Sequence, residues 1–224
     1  MSINHKESVR CPACSQMQEI TAWSSITVSD SPDLKQDLLQ GRINMLCCGS
    51  CGARALLPTP LLYHDEEKRL MISFMPTNDP KKKTELLMEM QKNYQKDPEL
   101  SALSDYHLRF VTEYNTLLEK ILIFDQGMND KTIELIKIMI LMQEPDKMDT
   151  RTAVFGKVEG EEIEFFVRDT ADGMCYTSRV PKTTYQVLWE ELQKSGVKNK
   201  SFNWEEIDAD YGASLLRGLN SSFM

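Results

Sequence analysis

Two C-x-x-C pairs, "CPAC" at residues 11–14 and "CGSC" at 48–51, constrain this chain more than any other feature. A two-residue gap lets one tight turn aim two thiolates at the same ion, and zinc takes four thiolates at the corners of a tetrahedron. Pro12 stiffens the first turn, and Gly49 and Gly52 give the second its backbone freedom. Cys11, Cys14, Cys48 and Cys51 are therefore the expected metal ligands, with Zn2+ as the expected cofactor; four thiolates bind iron as well, and the sequence does not choose between them. A closed set of four has no open position for water, so the ion is expected to support folding rather than activate a nucleophile. The competing reading is two dithiol redox centres, which usually begin helices in a thioredoxin-like context. Here both pairs lead into strand-like sequence, "SQMQEITAW" and "GARALLPTPLL".

The remaining cysteines and the histidines have milder readings. Cys47, beside Cys48, reads as a small buried hydrophobe on "INMLC"; a spare ligand or a redox-sensitive thiol is the sharper alternative. Cys175 in "DGMCYTSRV" reads as a strand residue. His64 is expected to be a hydrogen-bonded structural histidine and His107 a packing residue. His5 falls in residues 1–8, which read as a mobile tail.

Composition narrows the classes. The 224 residues are 41% hydrophobic and 27% charged, enough for a real core. No apolar run is long enough to cross a bilayer, so no membrane role is expected; the longest, "LIKIMILM", carries Lys137. "MSINHKESVR" lacks the apolar stretch of a signal peptide, and the expected location is the cytoplasm. A net charge of -8 disfavours nucleic acid as a partner. The alternative of a nucleic-acid-binding zinc ribbon rests on a local basic face of Arg10, Arg42, Arg54, Lys68 and Arg69.

Several motifs together resemble the CpXC family of bacterial and archaeal proteins. They are C-P-x-C, W-x-S-I-x-V at 23–28, P-D-L-K-x-x-L-L-x-G at 32–41, the second cysteine pair and L-L-Y-H-D at 61–65. The resemblance covers residues 8–77 well and 105–145 loosely. It implies zinc held by two cysteine pairs, here Cys11, Cys14, Cys48 and Cys51, and no established biochemical activity. In the family the second pair commonly has proline after its first cysteine. This chain has Gly49 there, which loosens the turn and leaves Cys47 as a competitor.

The expected fold is α+β: a zinc-ribbon-like module over 1–77 with an inserted helix, a helical region over 78–149, and a C-terminal α+β region over 150–224 with antiparallel strands and helices. Residues 19–28 read as a strand, and 31–41 as a short helix with Ser31 as N-cap, Pro32 at its first position and Gly41 at its end. "LLPTPLLY" and "RLMISFM" form a hairpin, "TNDPKKK" reads as a linker, and "PELSALSDYHLRFV" is ambiguous. Helices follow from 84, from 112 and over 131–143, the last with Asp130 as an acidic N-cap. The 131–143 helix is apolar nearly all round, so it is either a core helix or a surface for a homo-oligomer. Glu119 and Lys120 read as a solvated flank, or else a buried polar contact. Strands "TAVFGKV", "EIEFFVR" and "MCYTSRV" read as a meander, and two helices close the chain.

No phosphate loop, dinucleotide fingerprint or nucleophile elbow is present. The acidic turns with Glu161, Glu162, Asp169 and Asp172 read as solvated. The expected function is thus a non-enzymatic protein-interaction or adaptor module with structural zinc and an unnamed protein partner. An enzyme with a pocket lined by His64 and His107 is the remaining alternative.

Overall fold

The computed structural model describes residues 1–96, 103–200 and 203–222. They divide into two compact units: Met1–Leu118 with Lys200–Glu205, and Glu119–Asn199 with Glu206–Met224. The expected segments 1–77, 78–149 and 150–224 partition the chain differently, because residues 78–149 are shared between the two units. Hydrophobic periodicity reveals a helix, but not which layer it packs on.

The first unit is built on a five-stranded sheet. Strands β1 (Ile3–Arg10) and β2 (Met17–Thr27) form an antiparallel hairpin whose loop is the first cysteine turn. The residues expected as a mobile tail, His5 among them, are thus an edge strand, invisible to alternation because nearly all of β1 is exposed. Helix α1 (Pro32–Leu39) has Pro32 in its first turn and Gly41 at φ 66 beyond its end, as the sequence implied; Ser31 caps it by position, without a side-chain hydrogen bond. Strands β3 (Met45–Cys47) and β4 (Arg54–Leu56) make a second hairpin around the second cysteine turn. β5 (Leu61–Asp65) runs parallel to β2, and β6 (Leu70–Phe74) pairs with it antiparallel, the expected hairpin. α2 (Pro80–Lys96) starts inside the expected linker, since Asp79 Oδ1 accepts from Lys81 N at 2.9 Å and caps it. Within the segment read as ambiguous, residues 98–102 lie outside the described ones, and His107–Val111 forms β7, parallel to β6. Glu205 bridges to β7, and its carboxylate accepts from the buried Arg109 at 2.9 Å. Ile26, Tyr63, Ile72, Leu108 and Phe110 are fully buried in this unit.

α3 (Tyr114–Asp125) leads into the second unit. There the three strands β8 (Arg151–Glu159), β9 (Glu162–Asp169) and β10 (Cys175–Pro181) form the expected meander, order β10-β9-β8. α4 (Asp130–Leu141) is the core helix: ten of its twelve residues are buried, packed by α5 (Lys182–Lys194), α6 (Ala209–Ser222) and β8. Most of its apolar circumference is covered inside the chain, as expected of a core helix, while Met139 and Met142 are exposed. Asn129, not Asp130, caps α4, accepting from Lys131 N at 2.9 Å.

Asp130 is instead buried with Lys120, and so are Glu119 and Glu134. Lys120 Nζ lies 3.0 Å from Glu134 Oε1 and 3.3 Å from Asp130 Oδ2. Lys137 Nζ lies 3.1 Å from Glu119 Oε1, which also accepts from the Phe155 backbone N–H at 2.7 Å. The flank expected to be solvated is thus a charged network inside the core. Asp169, expected in a solvated turn, is also buried, 3.0 Å from Arg151. Neutral-looking periodicity hides both, because a buried charge is recognisable only by its partner.

Helices α4 and α6 approach so closely that a Cβ on Gly212 would lie 2.7 Å from the Glu134 carbonyl oxygen. Backbone cannot step aside as a side chain can. Gly212→Ala is expected to destabilise by about 1–3 kcal/mol in denaturant unfolding. Gly218→Ala on the same helix meets nothing within 4 Å and should stabilise by about 0.5–1 kcal/mol.

Candidate metal centre

The two cysteine turns are near copies of each other. In the first, Cys11 N donates to Gln16 O at 2.9 Å and Ser15 N to Cys11 O at 2.9 Å. In the second, Cys48 N donates to Ala53 O at 2.8 Å and Gly52 N to Cys48 O at 2.9 Å. The residue after the last cysteine turns left-handed in both, with φ 61 at Ser15 and 73 at Gly52. Glycine takes that conformation without strain, whereas serine there costs about 1–2 kcal/mol. Gly49 does not use a positive φ. Its N–H instead donates to Gln18 Oε1 at 3.2 Å, a bond proline would lack, so this position ties the turn down rather than loosening it.

These turns bring all four sulfurs within 4.8 Å of one another, a set able to hold a metal ion. Across the turns Cys11 and Cys51 are 3.7 Å apart, and Cys14 and Cys48 3.6 Å. No disulfide joins them. Four sulfurs about 2.3 Å from a central zinc define a tetrahedron with edges of about 3.8 Å, so the donor set and its size suit the ion. Cys11 and Cys48 are buried and pack with Leu46, Val9 and Ile20, while Cys51 faces solvent.

Electrostatics separates the four thiols into two kinds. The backbone N–H groups of Cys51 and Ser50 hold the Cys48 thiol down to about 6. Those of Cys14 and Ala13 do the same, more weakly, for Cys11. At Cys14 the Gln16 N–H pulls down, but the Cys51, Cys48 and Cys11 sulfurs and burial outweigh it and push the thiol up to about 12. At Cys51 the N–H of Ala53 and the Cys14 sulfur pull down, but the Cys48 and Cys11 sulfurs and burial prevail and raise it. Within each close cross-turn pair, ionisation of one sulfur therefore opposes ionisation of the other, so the pair holds on to its last proton. A cation at the centre removes the repulsion that keeps the second proton on.

The other sequence candidates lie elsewhere. Cys47 is exposed, not inward: it pairs with Arg54 on β3–β4 and points away from the buried Leu46. Period-two alternation on a strand forces that, since Leu46 and Cys48 are the buried neighbours. Cys175 opens β10, as expected, and is exposed. His64 is half-buried and shares a hydrogen bond of 3.1 Å with Tyr106 Oη, the structural role expected. His107 is buried on β7. Neither lines the cavity of about 330 Å³ at the starts of α2 and α3, which is bordered by Asn78, Asp79, Lys83 and Glu113. In the basic set, Arg42 engages Asp37, Arg69 engages Asp105 at 2.9 Å, and Lys68 reaches Glu67 at 3.5 Å, leaving Arg10 and Arg54 beside the cysteine turns. Among the described residues no other cluster of metal-ligating side chains occurs, and no helix is long and apolar enough to cross a membrane.

Asn44 was not visible in the sequence as part of this region. It is buried, holds φ 54, and bonds β2 through both ends of its amide: Trp23 N donates to Oδ1 at 2.7 Å, and Nδ2 donates to Trp23 O at 2.9 Å. An asparagine between a strand and a preceding glycine turn is a weak signal of this.

Compared with known proteins, residues 9–137, more than half of the chain, match a family model described as CpXC protein. No curated protein and no solved structure matches.

Proposed function

The chain belongs to the CpXC family, and from that premise we propose that it is a zinc-binding, non-enzymatic protein whose four-cysteine site fixes a ribbon used in an adaptor role in the cytoplasm. The observation that carries this reading is the meeting of Cys11, Cys14, Cys48 and Cys51 from two matching turns, with cross-turn sulfur separations of 3.6 and 3.7 Å. Four thiolates fill a tetrahedral zinc shell and leave no position for a reacting water. The dithiol alternative is disfavoured by placement, since each pair lies in a hairpin loop between strands rather than at a helix start.

An adaptor role is supported by the outer side of the C-terminal meander. Val154 and Phe166 stand opposite each other there and are 41% and 51% exposed, an apolar pair that a partner could cover. A net charge of -8, with three of five basic candidates beside carboxylates, argues against nucleic acid.

Two measurements test the reading. Elemental analysis of reduced protein should give one zinc per chain; iron or no metal would overturn the zinc assignment. Tagged protein from its native cell should carry a stoichiometric protein partner that Val154→Asp releases while zinc content stays unchanged. Tight nucleic-acid binding that weakens steeply with salt would replace the adaptor role with the ribbon's other use.

A further inference from the structure

We propose that Asn44 is a positioning residue for the metal site: it docks the hairpin carrying Cys48 and Cys51 onto β2, the strand that leaves the first cysteine turn, before any ion arrives. The inference rests on the four-cysteine site binding a metal.

Cys14 and Cys48 are 34 residues apart, and the chain between them contains a helix. Gathering four sulfurs around an ion from a mobile chain would charge that loop closure against metal affinity. Here the closure is made by other bonds. β2 pairs with β1 along its length, but with β5 only from Ser25 to Thr27. Among the described residues its other edge has no strand partner at Trp23, and the Asn44 amide fills the gap, accepting from Trp23 N and donating to Trp23 O as a neighbouring strand would. Asn44 also closes the base of the hairpin, since Leu57 N donates to its backbone carbonyl at 2.8 Å. One buried residue thus belongs to both hairpins. Leu46, two residues on, packs with Val9 and Ile20, and the hairpin tip is held by Gly49 N on Gln18 Oε1. None of these contacts involves the ion.

Asparagine suits the position twice. Its side chain offers an acceptor and a donor at the spacing of a peptide group, and it tolerates the left-handed φ of 54 better than other side chains. Asn44→Gly therefore deletes the clamp without straining the backbone. Groups that hydrogen-bond the ligands themselves change metal affinity about 10–100-fold, and Asn44, which holds the ligands' hairpin in place, is expected to act on the same scale.

The experiment is a competition titration of full-length wild type and Asn44→Gly against a chelator, with Zn2+ for affinity and Co2+ for spectra. The expected result is a 10–100-fold weaker affinity with the cobalt–thiolate absorption unchanged, because the four ligands remain. Asn44→Asp, which sets a carboxylate oxygen against the Trp23 carbonyl in place of the donor, should weaken affinity at least as much as Asn44→Gly. In metal-free wild type, amide exchange should stay slow in Met45–Cys47 and Arg54–Leu56 and become fast in Asn44→Gly. Equal affinity in the two proteins, or equally fast exchange in both metal-free forms, would overturn the positioning role. A wild type that binds neither ion would instead sink the metal site itself, which separates the two failures.

Discussion

Removing the metal from reduced protein should open the two cysteine turns while the rest of the first unit stays folded. The turns 11–16 and 48–53 are held by backbone bonds within each loop and by the sulfurs they aim at each other. Without a cation, the sulfurs repel once ionised. The five-stranded sheet, by contrast, buries Ile26, Tyr63, Ile72, Leu108 and Phe110 without help from the site. Amide exchange should therefore rise in the turns on chelation and stay slow in β5, β6 and β7. Structural zinc contributes about 10–16 kcal/mol in small finger peptides, and this is an upper bound here because the sheet folds on its own core. With free zinc at a thousandfold its dissociation constant, mass action stabilises the metal-bound unit by about 4 kcal/mol. Serine at Cys11, Cys14, Cys48 or Cys51 should abolish stoichiometric metal, whereas Cys47→Ser should leave it unchanged. Loss of metal from Cys47→Ser, or unaltered exchange after chelation, would contradict this assignment.

The second large effect is expected in the buried network of the second unit. Lys120 is fully buried between Glu134 and Asp130. Lys120→Met would remove the ammonium that lies against both buried carboxylates, while Lys137, which also pairs with Glu134, is already engaged by Glu119. Breaking a buried pair from one side costs about 3–5 kcal/mol, so denaturant unfolding should show a loss of that size. Lys120→Met combined with Glu134→Gln should recover part of it, because removing both partners leaves less uncompensated charge. A loss below the range of surface substitutions would mean that water reaches the network.

The pH dependence of the same network has a definite sign. Burial alone would push the Lys120 ammonium down, but the Glu134, Asp130 and Glu119 carboxylates outweigh it and hold it above its ordinary value. A raised folded value stabilises fully at pH below the unfolded value of about 10.4 and loses its contribution as pH rises through the folded one. Wild type should therefore lose stability at alkaline pH more steeply than Lys120→Met.

Local patterns in the chain were legible where one residue type has one physical use. The proline and glycine around α1, the β5–β6 hairpin and the three-strand meander follow from turn chemistry and strand alternation. Other features were not, because their signals depend on a distant neighbour. β1 has almost no buried residue to mark it, and becomes a strand only because β2 pairs with it. Glu119, Lys120 and Asp130 look like ordinary surface charges until their opposite partners are known. Gly49 looked like slack in a turn and proved to be a hydrogen-bond donor to Gln18.

By itself the sequence picked out the four sulfurs that the fold brings together: a two-residue gap permits one turn to aim two sulfurs at one point, and two such turns can aim four. What only the tertiary structure decided is where the other cysteine of "CC" points. Cys48 begins a turn that curls back on itself through Cys48 N and Ala53 O, while Cys47 ends a strand whose alternation sends it outward. It also decided that Asn44 and the edge of β2 hold the second turn near the first. Ligand spacing is a local property of a few bonds, whereas approach between segments 34 residues apart is set by strand pairing and buried contacts that no short stretch contains.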